Sequence, residues 1–199
     1  GSFRIDRRGS KGASAGLTLD RHDHVVFTLS NGAVVTFNDP RRFGLMDLIG
    51  GALRVEHQPL EQMGPEPLST GFDAAALAAA CAGKRVALKV ALLDQRVVAG
   101  VGNIYASEAL HAAQLSPLRR ASTIATRGGR PRPPAVRLAA ATKSVLRDAI
   151  DRQARRDHDA RFRVYEHAGE PCRRRGCGGV IRRIVQAGRS TFYCPVCQR

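Results

Sequence analysis

Cys172-Arg173-Arg174-Arg175-Gly176-Cys177 and, after sixteen intervening residues, Cys194-Pro195-Val196-Cys197 place four of the five cysteines in the last twenty-eight residues. A C-x4-C pair followed by a C-x2-C pair has the spacing of two knuckles closing on one tetrahedral ion. Zn²⁺ is the expected metal, although four thiolates also suit iron. Between the pairs, Gly178 to Tyr193 holds two short β-type runs around a turn at Ala187-Gly188. The expected product is a metal-pinned β-hairpin with arginines near its tip. Two disulfides would require a secreted domain, whereas the rest of the chain is poor in cysteine and shows no signal peptide.

The 199 residues carry a net charge of +15, from 32 Lys+Arg against 17 Asp+Glu. From Asp159 to Arg199, nine arginines stand against three acids. Basic excess concentrated on one unit points to a polyanion, nucleic acid first. Hydrophobic residues make up 43% of the chain, enough for a core. No apolar run approaches the ~20 residues of a membrane span, so a cytoplasmic protein is expected.

Working back from the cysteines, Arg152 to Arg161 is charged and reads as a linker. A helix is expected from Ala135 to about Arg152, with Leu138, Val145, Leu146, Ala149 and Ile150 on its apolar side. The breaker cluster Arg127-Gly128-Gly129-Arg130-Pro131-Arg132-Pro133-Pro134 reads as a loop. Helical pieces are expected over Asn103–Ala113, about Ala87–Leu93, and Ala74–Ala82. Asp73 is the N-cap of the last of these, and Gly83 its stop. Cys81 reads as a buried small hydrophobe. Before Leu48 the pattern is β: Asn31-Gly32 between His24–Ser30 and Ala33–Phe37 is a strong hairpin signal, and Gly44–Ile49 can supply a further strand.

Gly100-Val101-Gly102-Asn103 lies between two helical stretches. Its glycines permit a tight turn, and Asn103 is expected to cap a helix whose free N–H groups could hold a phosphate. By itself the string is better read as an ordinary interhelical turn.

The longer string Leu92-Leu93-Asp94-Gln95-Arg96-Val97-Val98-Ala99-Gly100-Val101-Gly102-Asn103-Ile104-Tyr105-Ala106-Ser107-Glu108-Ala109-Leu110 resembles the helix-two-turns-helix signature of the bacterial formamidopyrimidine-DNA glycosylase family. The resemblance extends in the family's order through Gly1–Ile5, His22-Asp23-His24, Asn38–Gly44, Gly64–Leu68 and Gly188–Cys197. It implies an α+β fold: part of an N-terminal β-sandwich over residues 1–70, a helix-two-turns-helix DNA-binding domain over 71–158, and a zinc β-hairpin over 159–199.

The activity implied is base-excision repair. An oxidised purine (8-oxoguanine or a formamidopyrimidine) is flipped from double-stranded DNA and excised, and the strand is then cut at the abasic site. Arg41 would face the orphaned cytosine and Phe43 would wedge between base pairs. His22, Lys84, Lys89 and Asn103 match positions that contact DNA phosphates. Arg189 matches the phosphate-gripping arginine, also assigned as proton donor in δ-elimination; an arginine's high pKa favours the clamp role. Cys172, Cys177, Cys194 and Cys197 would hold one structural Zn²⁺. Tyr165, in Phe162-Arg163-Val164-Tyr165, matches the strand entering the zinc unit, where its hydroxyl could touch phosphate or its ring could pack. The expected setting is a monomer on the bacterial nucleoid.

Three departures bear on the expectation. The family's nucleophile is an N-terminal proline followed by glutamate. This sequence opens on Gly1, so the chain is expected to bind DNA without running the Schiff-base chemistry. The alternative is a non-catalytic, truncated DNA-binding paralogue; an RNA-binding zinc ribbon is a weaker one. The first cysteine pair is C-x4-C where many members have C-x2-C. The charged linker replaces a Gly-rich segment and the loop that covers the lesion.

Overall fold

The computed structural model describes residues 1–6, 19–42, 44, 46, 48, 62–155 and 162–199. Of the expected strand over Gly44–Ile49 only residues 44, 46 and 48 are described, and most of the charged linker lies outside the described residues, as does Phe43. The chain divides into two compact units, Gly1–Arg54 and Val55–Arg199.

In the first unit, β1 (Ser2–Asp6), β2 (Asp23–Thr28) and β3 (Val34–Asn38) form an antiparallel sheet with β3 in the middle. The Asn31-Gly32 signal becomes a three-residue loop. Leu29 N–H bonds the Ala33 carbonyl, Gly32 N–H bonds the Leu29 carbonyl, and Gly32 takes the left-handed conformation at φ +80°. This is a type I turn closed by a bulge, one of the standard hairpin solutions. Phe3, Ile5, Phe27 and Leu29 stay exposed, as a sheet of few strands leaves its apolar residues when little packs on them.

In the second unit, α1 (Ala74–Cys81) starts where expected, with Asp73 Oδ1 accepting Ala76 N–H at 2.8 Å. Helices α2 (Leu88–Leu92) and α3 (Asn103–Ala112) flank the glycine-bearing turns. The long α4 (Pro133–Ala154) opens on two prolines, which need no N–H partner in a first turn. Leu77, Cys81, Leu88, Leu92, Leu110 and Leu138 are fully buried in one core. Cys81 sits there as a small hydrophobe, its thiol pushed up to about 11 by burial. Ile150 departs from expectation: it lies beyond the part of α4 covered by neighbours and is 55% exposed. Gly64 admits the Gly64–Leu68 segment against the turns. Its N–H bonds the Gln95 carbonyl at 2.8 Å, and an added Cβ would stand 2.7 Å from the Val97 backbone.

The strands β4 (Arg182–Gln186) and β5 (Arg189–Tyr193) pair antiparallel around Ala187-Gly188. Both turn residues have positive φ, +47° and +72°, as a two-residue type I′ turn requires. A small second core of Val164, Ile181, Phe192 and Cys194 lies beneath this hairpin.

Candidate zinc and nucleic-acid interface

The Sγ atoms of Cys172, Cys177, Cys194 and Cys197 all lie within 4.8 Å of one another. The Cys177–Cys194 and Cys172–Cys197 sulfurs stand 3.5 and 3.9 Å apart. Four sulfurs at Zn–S distances of about 2.3 Å in a tetrahedron are about 3.8 Å apart, so the set fits zinc. A disulfide needs about 2.05 Å, which excludes that alternative for these cysteines. Gly179 packs against the cluster, and a Cβ there would come within 2.6 Å of Cys194 Sγ. The extra residues of the C-x4-C knuckle are absorbed by Arg174–Gly176: Cys177 N–H bonds the Arg174 carbonyl, and Gly176 has φ +73°.

Helix α3 reaches the cluster. His111 is buried, with Nε2 3.4 Å from Cys172 Sγ. Burial first, then the Arg174 charge, pushes this imidazole down to about 4. At neutral pH it is uncharged and can donate one hydrogen bond to a thiolate. Glu108, one turn earlier, is also buried. Its carboxylate accepts the backbone N–H groups of Arg163, Val164 and Tyr165 at 2.8, 2.9 and 2.9 Å. These three bonds fix the backbone entering the zinc unit. Neither Glu108 nor His111 was among the expected site residues. The available signal was a charged and an aromatic polar residue among the small and apolar residues of Ala106–Ala113, where burial demands partners.

Asn103 is not the cap of α3. Gly102 holds the N-cap position in extended conformation without a side-chain bond, and Asn103 is the first helical residue. Its amide is used elsewhere: Nδ2 donates to the Ser190 carbonyl at 2.9 Å, and Oδ1 accepts from Lys89 Nζ at 2.6 Å. The first N–H groups of α3 have no acceptor inside the helix, so the open positive end survives.

Lys89 is fully buried. Besides Asn103, its ammonium donates to the Ser190 carbonyl at 3.1 Å and Thr191 Oγ1 at 2.7 Å. Three donors meet three acceptors, leaving none for a phosphate. Burial, then the charge of Arg189, pushes Lys89 down to about 8. Lys89 therefore ties α2, the start of α3 and the hairpin together.

Arg189 stands exposed beside the hairpin turn, opposite Gln186. Gln186 Nε2 donates to the Pro117 carbonyl at 3.2 Å, which holds the tip to the helical part. Arg183, unremarked in the sequence, forks onto Ser190 Oγ at 3.0 and 2.9 Å. Lys84 is half-buried with Nζ 3.7 Å from Asp94. The Tyr165 ring packs edge-on to Phe192 and Phe162, with centroids 5.0 and 5.8 Å apart.

In the first unit, Asp39 N–H bonds the His22 carbonyl, and Asp39–Arg42 forms a β-turn closed by Arg42 N–H on the Asp39 carbonyl. Pro40 occupies the position that favours its fixed φ, and Arg41 is displayed, exposed, at the next. The Gly44 N–H, 2.7 Å from Asp39 Oδ2, holds the Asp39 carboxyl below the usual range.

Two family models match the chain. Residues 63–159 match the formamidopyrimidine-DNA glycosylase H2TH domain, and residues 169–199 match the zinc finger found in FPG and IleRS. A formamidopyrimidine-DNA glycosylase of Bradyrhizobium sp. strain BTAi1 is 52% identical, covering 100% of this chain and 74% of the relative. One from Rhodopseudomonas palustris strain BisB18 is 51% identical with the same coverage. Among solved structures, Lactococcus lactis Fpg (MutM) non-covalently bound to AP-site DNA matches with TM-score 0.77 and 27% identity, over 100% of this chain and 70% of that one. MutM in complex with carbocyclic 8-oxo-G DNA matches with TM-score 0.76 and 28% identity, over 100% and 70%.

Proposed function

This chain belongs to the formamidopyrimidine-DNA glycosylase family, with one structural zinc on Cys172, Cys177, Cys194 and Cys197, and on that premise we propose that it grips double-stranded DNA at an oxidised purine or abasic site. The reaction served is excision of 8-oxoguanine or a formamidopyrimidine, followed by strand cleavage at the abasic site.

One observation carries the reading. Lys89 joins Asn103 to the hairpin backbone at Ser190, so the open end of α3 and Arg189 are held on one rigid scaffold. Backbone N–H groups at a helix start and a guanidinium fork are complementary phosphate ligands. Zinc supplies no chemistry to the base; it closes the knuckles from which the hairpin projects.

Asn103 and Arg189 would touch phosphate, Arg189 as an electrostatic clamp, and Lys89 would act through them. Lys84, half-exposed beside Asp94, would add a weaker contact. His22 would contact phosphate from the first unit, and Arg41 would fill the space left by the extruded base. Phe43 would be the wedge beside it. Three parts, over residues 1–70, 71–158 and 159–199, divide this work in a monomer acting on the bacterial nucleoid.

The test is binding to a duplex carrying a tetrahydrofuran abasic analogue, one carrying 8-oxoguanine, and an undamaged duplex, across a salt series. Tighter binding to both damaged duplexes is expected, with a log–log salt slope that falls by about 0.9 on Arg189→Ala. Equal affinity for damaged and undamaged DNA would overturn the reading.

A further inference from the structure

No Asp or Glu stands between Glu108 and Asp148, a stretch that holds seven arginines and Lys143. Some of these cations have internal duties. Arg119 bonds Thr123 and the Arg199 carbonyl, Arg137 bonds the Ala113 carbonyl, and Lys143 bonds the Ser69 carbonyl. Arg120, Arg127, Arg130 and Arg132 have none. They are exposed and, among the described residues, make no ion pair or side-chain hydrogen bond, and the same holds for Arg85.

Their backbone is ordered. Residues 125–131 form a tight hairpin: Thr126 N–H bonds the Arg130 carbonyl at 2.9 Å, Gly129 N–H bonds the Thr126 carbonyl at 3.0 Å, and Arg130 N–H bonds Thr126 Oγ1 at 3.0 Å. Gly129 rests against Ala79 of α1. Arg132 N–H bonds the Ile124 carbonyl, anchoring the exit. The loop expected from its breakers is thus a rigid display of Arg127, Arg130 and Arg132.

This hairpin continues into a second paired segment. Leu88 N–H bonds the Arg119 carbonyl, Ala121 N–H the Val86 carbonyl, and Ser122 N–H the Lys84 carbonyl, with Ala87 opposite Arg120. The pairing sets Arg85 and Arg120 on adjoining strands. Pro117, just before it, is held by Gln186 of the zinc hairpin. A continuous backbone path therefore links the Arg189 tip, through Arg85 and Arg120, to the arginine hairpin. At its far end stands the N-terminus of α4, whose first turn has no acidic residue to balance the helix dipole.

Resting on the DNA-binding reading above, we infer that Arg85, Arg120, Arg127, Arg130 and Arg132 form a second phosphate-contact band that holds duplex flanking the damaged site. The chemistry favours a phosphate backbone over a folded protein. Protein interfaces are anchored by buried aromatic and apolar side chains, and residues 84–87 and 119–132 contain no aromatic. Uncompensated guanidinium forks instead match phosphate oxygens and release condensed counterions on contact.

The test compares the parent chain with Arg127→Gln/Arg130→Gln/Arg132→Gln and with Arg85→Gln/Arg120→Gln. All are measured on a short abasic-analogue duplex and on one extended by about one helical turn, ~10 bp, on each side. On the long duplex the triple variant should lose about tenfold in affinity, and its log–log salt slope should fall by about 0.9 for each lost contact. On the short duplex it should match the parent. The double variant should fall between the two on the long duplex. Unchanged thermal unfolding certifies that the variants are folded, since the replaced side chains are exposed and make no ion pair or hydrogen bond among the described residues. Parent-like slopes on the long duplex would overturn the band, and so would an equal loss on single-stranded DNA of the same length. A parent chain that binds neither duplex would instead sink the DNA-binding reading, and the band with it.

Discussion

The β2–β3 and β4–β5 hairpins solve the same problem in opposite ways. The β2–β3 hairpin has a third strand beside it, yet Phe3, Ile5 and Phe27 of that sheet stay exposed. The β4–β5 hairpin has no third strand among the described residues, yet Thr191, Phe192 and Tyr193 are buried. A two-stranded hairpin alone is marginal in water. This one is held by thiolates at its base, by the Lys89 ammonium on its second strand and by Gln186 at its tip. Strand number does not set burial here; anchors from distant elements do.

The largest effect should come from removing the metal anchor. Cys194→Ser/Cys197→Ser is expected to abolish zinc retention, because structural zinc contributes about 10 kcal/mol or more to such units. Amide exchange should lose its protection over Ser190–Tyr193 and keep it over Val34–Asn38. Protection that survives in both hairpins would show that zinc is not what distinguishes them.

Next comes Lys89→Met, which leaves Asn103 Oδ1 and Thr191 Oγ1 without their donor and should cost about 3 kcal/mol in denaturant unfolding. Its pH dependence has a definite sign. A lysine at about 8 in the folded protein and near 10.5 unfolded binds fewer protons when folded within that window. Its contribution to stability therefore rises with pH from about 8 to 10.5. Relative to Lys89→Met, the parent should gain stability across that range; a flat difference would mean that the ammonium is not desolvated.

Glu108→Gln should cost about 2 kcal/mol, since an amide cannot accept all three N–H groups that the carboxylate accepts. Exchange at Arg163–Tyr165 reports it, and unchanged rates would remove Glu108 from the anchors. His111→Phe keeps the buried ring and deletes the bond to Cys172. Loss of zinc to a chelator should be about tenfold faster, as for other outer partners of metal ligands. Equal release rates would leave His111 as packing only.

The smallest effect is a gain. Ala187 holds φ +47° at an unfavourable cost, so Ala187→Asn should stabilise the β4–β5 turn by up to about 1 kcal/mol. No gain would mean that the anchors, and not the turn, already set the register.

Much of the scaffold was legible in short windows. The Asp73 cap, both hairpin turns, the buried Cys81 and the four ligands follow from local spacing and conformational preference. The site's interior was less so. Lys89 reads as a surface cation in its own helix, and its burial depends on Ser190 and Thr191, 101 and 102 residues away. Asn103 reads as a cap, but a partner on the hairpin recruits its amide and leaves the cap to Gly102. Ile150 continues the apolar stripe past the part that other described residues cover.

By itself, the sequence determined the ligand set, the Asp73-capped helix start and the places of the two β-turns, because each is settled by backbone sterics or by chelate spacing within a few residues. Only the tertiary structure decided which polar groups are buried and whom they bond. A buried charge persists only where partners converge on it, and for Lys89, Glu108 and His111 those partners arrive from elements far along the chain.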